Sequence, residues 1–300
     1  MQVLYTCNRD KTLDHNDIHA AFKASVDASF ELYLFHLYSL LFFLKVSQED
    51  ASNRKAKHLP TDEDKVFSDK IYSNAFVRSI IASSDLSALF KQKNFETLLD
   101  KDVLRKIYKD YSKTEGYKAF ILSDSDSKEI YIEELLSAYK FMAKHEYYSE
   151  HVEERFHGWI DDKSLILGTM KKTLKSMPVK SRFFMEYVPQ GETVEDFGTV
   201  LLKHVLEEDT ELLETIDPVL ENWDASRVAI VDMILIKMAI CEMLYFPTIP
   251  TKVTLNEYVE LAKSYSTDKS KDFINGILDK LMKKLTNEGK IIKEGRGLVG

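Results

Sequence analysis

A chain of 300 residues, 44% of them apolar, is long enough for one large domain or two small ones and too apolar for a disordered polymer. Ten glycines and six prolines are few turn formers for this length, which favours long helices over many short strands. The net charge of −8 excludes a polyanion-binding surface spread over the whole chain. The charge is uneven, however: residues 221–300 carry 12 Lys/Arg against 11 Asp/Glu, which leaves 29 against 38 in the first 220. A nucleic-acid surface is therefore expected on the C-terminal part.

The opening MQVLYTCN is apolar and periodic with no polar lead-in, so it reads as the interior of a helix. No basic segment of a secretory signal precedes it. Asp14 to Ser47 reads as one long helix. Its stretch Phe30–Val46 invites comparison with a membrane span, but Glu31, His36 and Lys45 interrupt or bound it. A span needs roughly 20 apolar residues, so a buried core helix is expected and no membrane. Pro60 marks a polar break, and the acidic turn Thr61–Asp64 suits the positive end of a helix dipole. The helix it opens is predicted to run to about Ser83. Helices are predicted at Phe95–Ser112, Lys128–Tyr148 and Asp162–Met177, with the solvated loop Leu122–Lys128 between the first two. A second break, Met177–Thr193, carries Pro178, Pro189 and Gly191. Helix resumes at Val194–Glu207 and Thr210–Trp223. No alternating strand pattern, hairpin signal or repeat period appears.

The last eighty residues are the most legible. Val228, Val231, Leu235 and Met238 follow helical spacing in a helix that starts near Asp224, ends before Pro247, and is apolar over most of its circumference. It is the expected central helix. Thr254-Leu-Asn-Glu257 matches a capping box and sets the expected start of the next helix, with Asn256 and Glu257 at its head. Val259, Leu261 and Ala262 give that helix its buried face. Ser266 and Thr267 are expected to cap a final helix, Asp268–Leu285, which Gly289 ends before a basic tail. Cys7 and Cys241 lie in apolar stretches and read as small buried side chains in a reducing cytoplasm.

Phosphate-cradling glycine loops and H-E-x-x-H are missing. His145, His151 and His157 recur every six residues, a spacing that turns successive helical side chains away from one another, so no metal is expected. Asp124-Ser-Asp126 begins like a calcium loop, but Lys128 and Glu129 occupy ligand and glycine positions. No nucleophile elbow appears. The reading is of a protein that is not an enzyme and takes no cofactor.

Three blocks carry a resemblance. The first is the apolar helix Val228–Leu244, closing with Cys241-Glu242. The second runs Ile249-Pro250, Val253, Asn256-Glu257 and Val259-Glu260-Leu261-Ala262-Lys263. The third is Phe273-Ile-Asn-Gly276 with Leu278-Asp279-Lys280. In order and spacing they resemble the C-terminal half of the NusB family, and MQVLY resembles its first helix. The intervening region is much longer than in short members, as in long Bacteroidetes-type members.

The resemblance implies an all-α, NusB-like bundle of two packed helical subdomains with an enlarged N-terminal half: residues 1–222, and residues 223–300. It further implies a transcription antitermination factor that binds single-stranded boxA-type RNA together with a small-subunit ribosomal protein and joins the elongating RNA polymerase. Self-association as a homodimer stays open. The rival reading is a helical interaction scaffold with weakened RNA binding. A third reading, an RNA-modifying enzyme with this fold fused to a methyltransferase, is opposed by the lack of a glycine-rich cofactor-binding domain. Family members also carry an arginine-rich arm before the first helix. It is not seen ahead of MQVLY, so several Arg or Lys residues are expected upstream in the natural reading frame.

Lys269, Lys271, Phe273, Asn275 and Lys280 are the RNA-binding candidates. Lysines near a helix N-terminus favour a phosphate, and an exposed Phe273 offers a ring to an unpaired base, though an aromatic at helical spacing is more often core. Asn275-Gly276 falls mid-helix, where glycine costs about 1 kcal/mol; close helix packing and approach of an RNA backbone both explain it. Lys280, Lys283, Lys284, Lys290, Lys293 and Arg296 form a basic end, read either as a solvated face or as phosphate contacts. By the resemblance, Tyr5 and Asp232 face the ribosomal protein. Asp232 sits on an apolar helix, so it must emerge at an edge or be paired.

Overall fold

A computed structural model describes residues 1–124, 126–220, 227–267 and 269–298. Among these residues every regular element is helical. In chain order they are α1 (Gln2–Arg9), α2 (His15–Lys55), α3 (Asp62–Val66), α4 (Ala75–Ile81), α5 (Ser84–Gln92), α6 (Phe95–Leu98), α7 (Lys101–Tyr111), α8 (Glu115–Leu122), α9 (Lys128–Lys144), α10 (Glu146–Glu153) and α11 (Trp159–Lys175). There follow α12 (Val200–Glu207), α13 (Asp209–Ile216), α14 (Ile230–Tyr245), α15 (Thr251–Tyr265) and α16 (Ser270–Asn287). A π-helical stretch, Glu192–Thr199, leads into α12.

The chain forms two compact units, one of residues 1–24 and 189–300 and one of residues 25–188. The boundary expected at 222/223 lies outside the described residues.

Several predicted helices are shorter, and the reason is local. The stretch predicted as one helix from Phe95 to Ser112 divides because Asp100 caps α7, its carboxylate accepting from the amides of Asp102 and Val103 at 3.0 and 3.1 Å. A side chain that satisfies the orphan amides of a new first turn competes with continuation of the old helix. Asn74, Ser83, Thr114 and Ser127 cap α4, α5, α8 and α9 in the same way, which also breaks the helix expected from Thr61 to Ser83. The helix expected over Lys128–Tyr148 breaks at His145, which is extended. α5 and α8 had no counterpart in the sequence reading.

In the unit of residues 25–188 the stretch Phe30–Val46 of α2 forms the core. Leu32, Leu34, Phe35, Leu37, Leu40, Phe43 and Leu44 are buried. Phe35 meets Phe95 edge-on at 5.5 Å, and Phe43 meets Tyr108 at 5.6 Å. α2 is the helix among the described residues with the length and hydropathy to cross a membrane, and its apolar surface is the surface this core covers. His36 is fully buried beside Trp159 (ring centroids 4.7 Å apart), with its Nδ1 3.0 Å from the Tyr139 hydroxyl. His151 is occupied too: its Nε2 accepts from the Asp100 amide at 3.2 Å.

The other unit is built around α14, which packs against α1, α12, α13, α15 and α16. This is the central helix the sequence predicted, starting at Ile230 rather than near Asp224. Two glycines here are set by close approach: a Cβ on Gly198 would meet the Phe22 ring at 2.4 Å, and one on Gly297 the Pro247 carbonyl oxygen at 2.0 Å. Through Gly297 the C-terminal tail seats against the turn after α14, where the Glu294 amide also donates to the Pro247 carbonyl at 3.0 Å.

Candidate nucleic-acid interface

The core helix α14 carries three charged residues five positions apart, Asp232, Lys237 and Glu242, all buried. Five residues turn the helix by about 140° net, so the three aim at different neighbours. Asp232 accepts hydrogen bonds from Ser266 and, at 2.8 Å, from Ser270 at the head of α16. Lys237 pairs with Asp209 on α13. Glu242 accepts from the hydroxyls of Thr254 (2.8 Å) and Tyr258 (3.0 Å) on α15. Burial raises the Glu242 carboxyl above its ordinary value, against the lowering effect of those two hydrogen bonds. A buried charge persists only when paired, and here each pair ties the central helix to one of its neighbours.

Sequence reasoning assigned Asp232, Thr254 and Ser266 otherwise: Asp232, expected to face a partner protein, is buried with its carboxylate held by two serines. Thr254 does not cap α15, which starts three residues earlier behind Pro250; its side chain is fully buried and serves Glu242. Asn256 and Glu257 are exposed inside α15 rather than at its head. Ser266 and Thr267 do not cap the last helix through its amides; their hydroxyls go to Ser270 and Asp232. The signal available in the sequence was three ionisable residues at five-residue spacing on an otherwise apolar helix.

These contacts fix the start of α16. Lys269 is its N-cap residue, and among the described residues no side chain caps the first amides. Lys269 and Lys271 are exposed, and no hydrogen bond or ion pair among the described residues engages their ammonium groups. Phe273 is half-buried and packs against the core cluster of this unit, so it is not the exposed ring the sequence reading allowed. Asn275 and Lys280 are exposed. Two flanks result. At about 100° per residue, Phe273 and Lys280 lie within about 40° of Lys269, whereas Lys271 and Asn275 lie together more than about 100° away.

Gly276 is exposed, and a Cβ there would meet nothing within 4 Å. Close helix packing therefore does not explain this glycine. Much of the basic end is already engaged. Lys283 pairs with Asp279 at 2.6 Å, Lys290 with Glu288 at 2.8 Å, and Lys284 donates to the Thr215 carbonyl at 3.3 Å. Lys293 donates to the Phe246 carbonyl at 3.0 Å, and burial lowers its ammonium below the usual lysine range. Tyr5 is exposed on α1, which packs on α14, the helix that carries Asp232.

These features define a class: an all-helical protein whose C-terminal helix presents unpaired cations at an uncapped N-terminus, beside a half-buried aromatic ring. The comparisons with known proteins narrow it. The NusB family model matches residues 167–283. Transcription antitermination protein NusB of Salinibacter ruber is 38% identical over 115 residues, 38% of this chain and 72% of that protein. NusB of Chloroherpeton thalassium is 42% identical over 108 residues, 36% of this chain and 44% of that protein. NusB of Natranaerobius thermophilus is 49% identical over 72 residues, 24% of this chain and 52% of that protein. The chain thus spans about half the length of two of these relatives and nearly three quarters of the third. No solved structure matches it. The chain belongs to the NusB family.

Proposed function

We propose that this chain is a non-catalytic, cytoplasmic transcription antitermination factor that binds single-stranded boxA-type RNA through α16. In this reading it acts with a small-subunit ribosomal protein held near Tyr5 and joins the elongating RNA polymerase. The observation that carries it is the head of α16, where uncapped amides and the free ammonium group of Lys269 offer a phosphate both hydrogen bonds and charge, with the free ammonium of Lys271 on the other flank. Phe273, half-buried on the core of this unit, is the aromatic side chain on the Lys269 flank for a base to meet. Lys280 extends the same flank. Asn275, with Lys271, faces a different part of the strand. Asp232 acts through Ser266 and Ser270 by holding the loop that sets Lys269.

Lys269→Glu is expected to weaken boxA RNA binding about tenfold and to lower the log–log salt slope by about 0.7 or more, since one phosphate contact is lost and a repulsion gained. Fluorescence anisotropy at several salt concentrations, with and without the ribosomal protein, measures both; an unchanged affinity and slope in a folded variant would refute the assignment.

Gly276 gives a test with two signs. Gly276→Ala removes a mid-helix glycine without a clash, so it is expected to stabilise the fold by about 0.5–1 kcal/mol. If an RNA backbone approaches there, the same methyl weakens RNA binding. A variant that gains stability and keeps full affinity would remove Gly276 from the interface.

The second reading, a scaffold with weakened RNA binding, draws on the lysines of the basic end that are already paired or buried. RNA binding that does not weaken with salt would favour it.

A further inference from the structure

The unit of residues 25–188 is the part of the chain that lies mostly outside the family match, and it carries a cationic, aromatic corner of its own. On α9, Ser137, Lys140, Phe141 and Lys144 form one stripe that, with His145 just beyond its end, lines a groove of about 390 Å³. Their spacing of three and four residues puts them on one helix face. Lys140 and Lys144 are exposed, and among the described residues no ion pair or hydrogen bond engages either. The Phe141 and His145 rings lie 6.3 Å apart, and His145 and Tyr147 lie 5.3 Å apart at 36°. Lys106 of α7 stands over the Tyr147 ring, its Nζ 3.8 Å from the centroid. Tyr147 is 42% exposed.

His145 is also the N-cap residue of α10, whose first amides no side chain caps, so a helix N-terminus opens beside the lysines and rings and adds to their attraction for an anion. Two carboxylates lie near. Asp110 is paired with Lys113 at 2.8 Å, and Glu146 is exposed in the first turn of α10. Three lysines free of ion pairs thus surround a ring cluster, in the half of the chain that is otherwise acidic.

We propose that this corner is a second RNA-binding site, taking one or two nucleotides of an unpaired strand. Lys106, Lys140 and Lys144 meet backbone phosphates. The exposed part of Tyr147 and the half-buried Phe141 ring that lines the groove give a base its apolar contact. Lysines that need no carboxylate in the fold and an aromatic side chain partly in solvent are the two parts of a sequence-tolerant single-strand site. The inference rests on the reading of the chain as an RNA-binding factor, but it uses residues that share no element with α16.

The test uses the full chain and a uridine 12-mer, with the site mapped by ultraviolet crosslinking and mass spectrometry. Crosslinks at Tyr147 or Phe141 are expected, in the wild type and equally in Lys269→Glu. Lys140→Gln with Lys144→Gln is expected to weaken binding in the Lys269→Glu background about tenfold and to lower the salt slope by about 1.4, two contacts at about 0.7 each. Tyr147→Ala is expected to cost about tenfold with an unchanged slope, since it removes an aromatic contact and no charge. All four side chains are on the surface, so unchanged thermal unfolding shows that the variants fold. Crosslinks confined to α16, or a double variant that binds like its parent, would overturn this site and leave the function proposed above standing. Crosslinks at Tyr147 with none on α16 would do the reverse. Equal retention of a base-free polyanion such as heparin, with no effect of Tyr147→Ala, would reduce the corner to a charge patch and overturn the proposal.

Discussion

Glu242→Ala is expected to destabilise the unit built on α14 by about 3 kcal/mol. The substitution leaves the buried Thr254 and Tyr258 hydroxyls without their acceptor, and each buried polar group left unpaired costs about 1–3 kcal/mol. It also opens a small void between α14 and α15, which adds to the loss. Glu242→Gln is the informative companion. It keeps an acceptor oxygen and removes the charge whose burial raises the carboxyl, so it is expected to cost well under half as much. Urea unfolding at pH 7 measures the pair. A loss below about 0.5 kcal/mol for the alanine variant, or equal losses for the two, would show that the network does not hold α15. The loss should also appear as faster amide exchange in α15, because this network is what ties that helix to the central one.

Stability of the residue 25–188 unit is expected to fall steeply as the solution is acidified below pH 6.5, because of His36. Its imidazole is fully buried, and desolvation, helped by Lys163, lowers its pKa from 6.5 to about 3. The unfolded chain therefore takes up a proton at a pH where the folded chain does not. Stability rises with pH wherever the unfolded state binds more protons. The contribution is fully present above pH 6.5, is reduced by about 2 kcal/mol at pH 5, and approaches a loss of about 5 kcal/mol near pH 3, at about 1.4 kcal/mol per pH unit. His151, also lowered by burial, adds in the same direction. Carboxyls raised by burial, such as Glu134 and Asp162, act with opposite sign, so the His36 contribution is read as the difference between the wild type and a variant without this imidazole. Urea midpoints from about pH 5 to 7 check the slope. His36→Phe is expected to flatten it, whatever its effect on stability at pH 7. A slope unchanged by the substitution would place the acid sensitivity elsewhere.

Much of the C-terminal half was legible without coordinates. The apolar periodicity of Val228–Leu244 fixed a helix hydrophobic on nearly all sides, and such a helix has to be surrounded by others. The family blocks at Ile249–Lys263 and Phe273–Lys280 then named the fold. The first 220 residues were less legible, because short helices there are divided by side chains that look unremarkable in sequence. Asp100 ends a predicted helix only by turning back to bond two amides, and a propensity argument does not register that choice.

The candidate site divides in the same way. That Lys269 and Lys271 stand at a helix start follows from local sequence, since charge and capping residues act within one turn. That Phe273 is half-buried, that Lys283 and Lys290 are spent on neighbouring carboxylates, and that Gly276 faces open space are consequences of side-chain geometry and of which elements lie alongside. The clearest case is α14. Its sequence required Asp232, Lys237 and Glu242 to find partners, because an unpaired buried charge is too costly to keep. Only the tertiary structure could say which partners, because Ser270, Asp209 and Thr254 lie 38, 28 and 12 residues away, and packing rather than local sequence brings them to the helix.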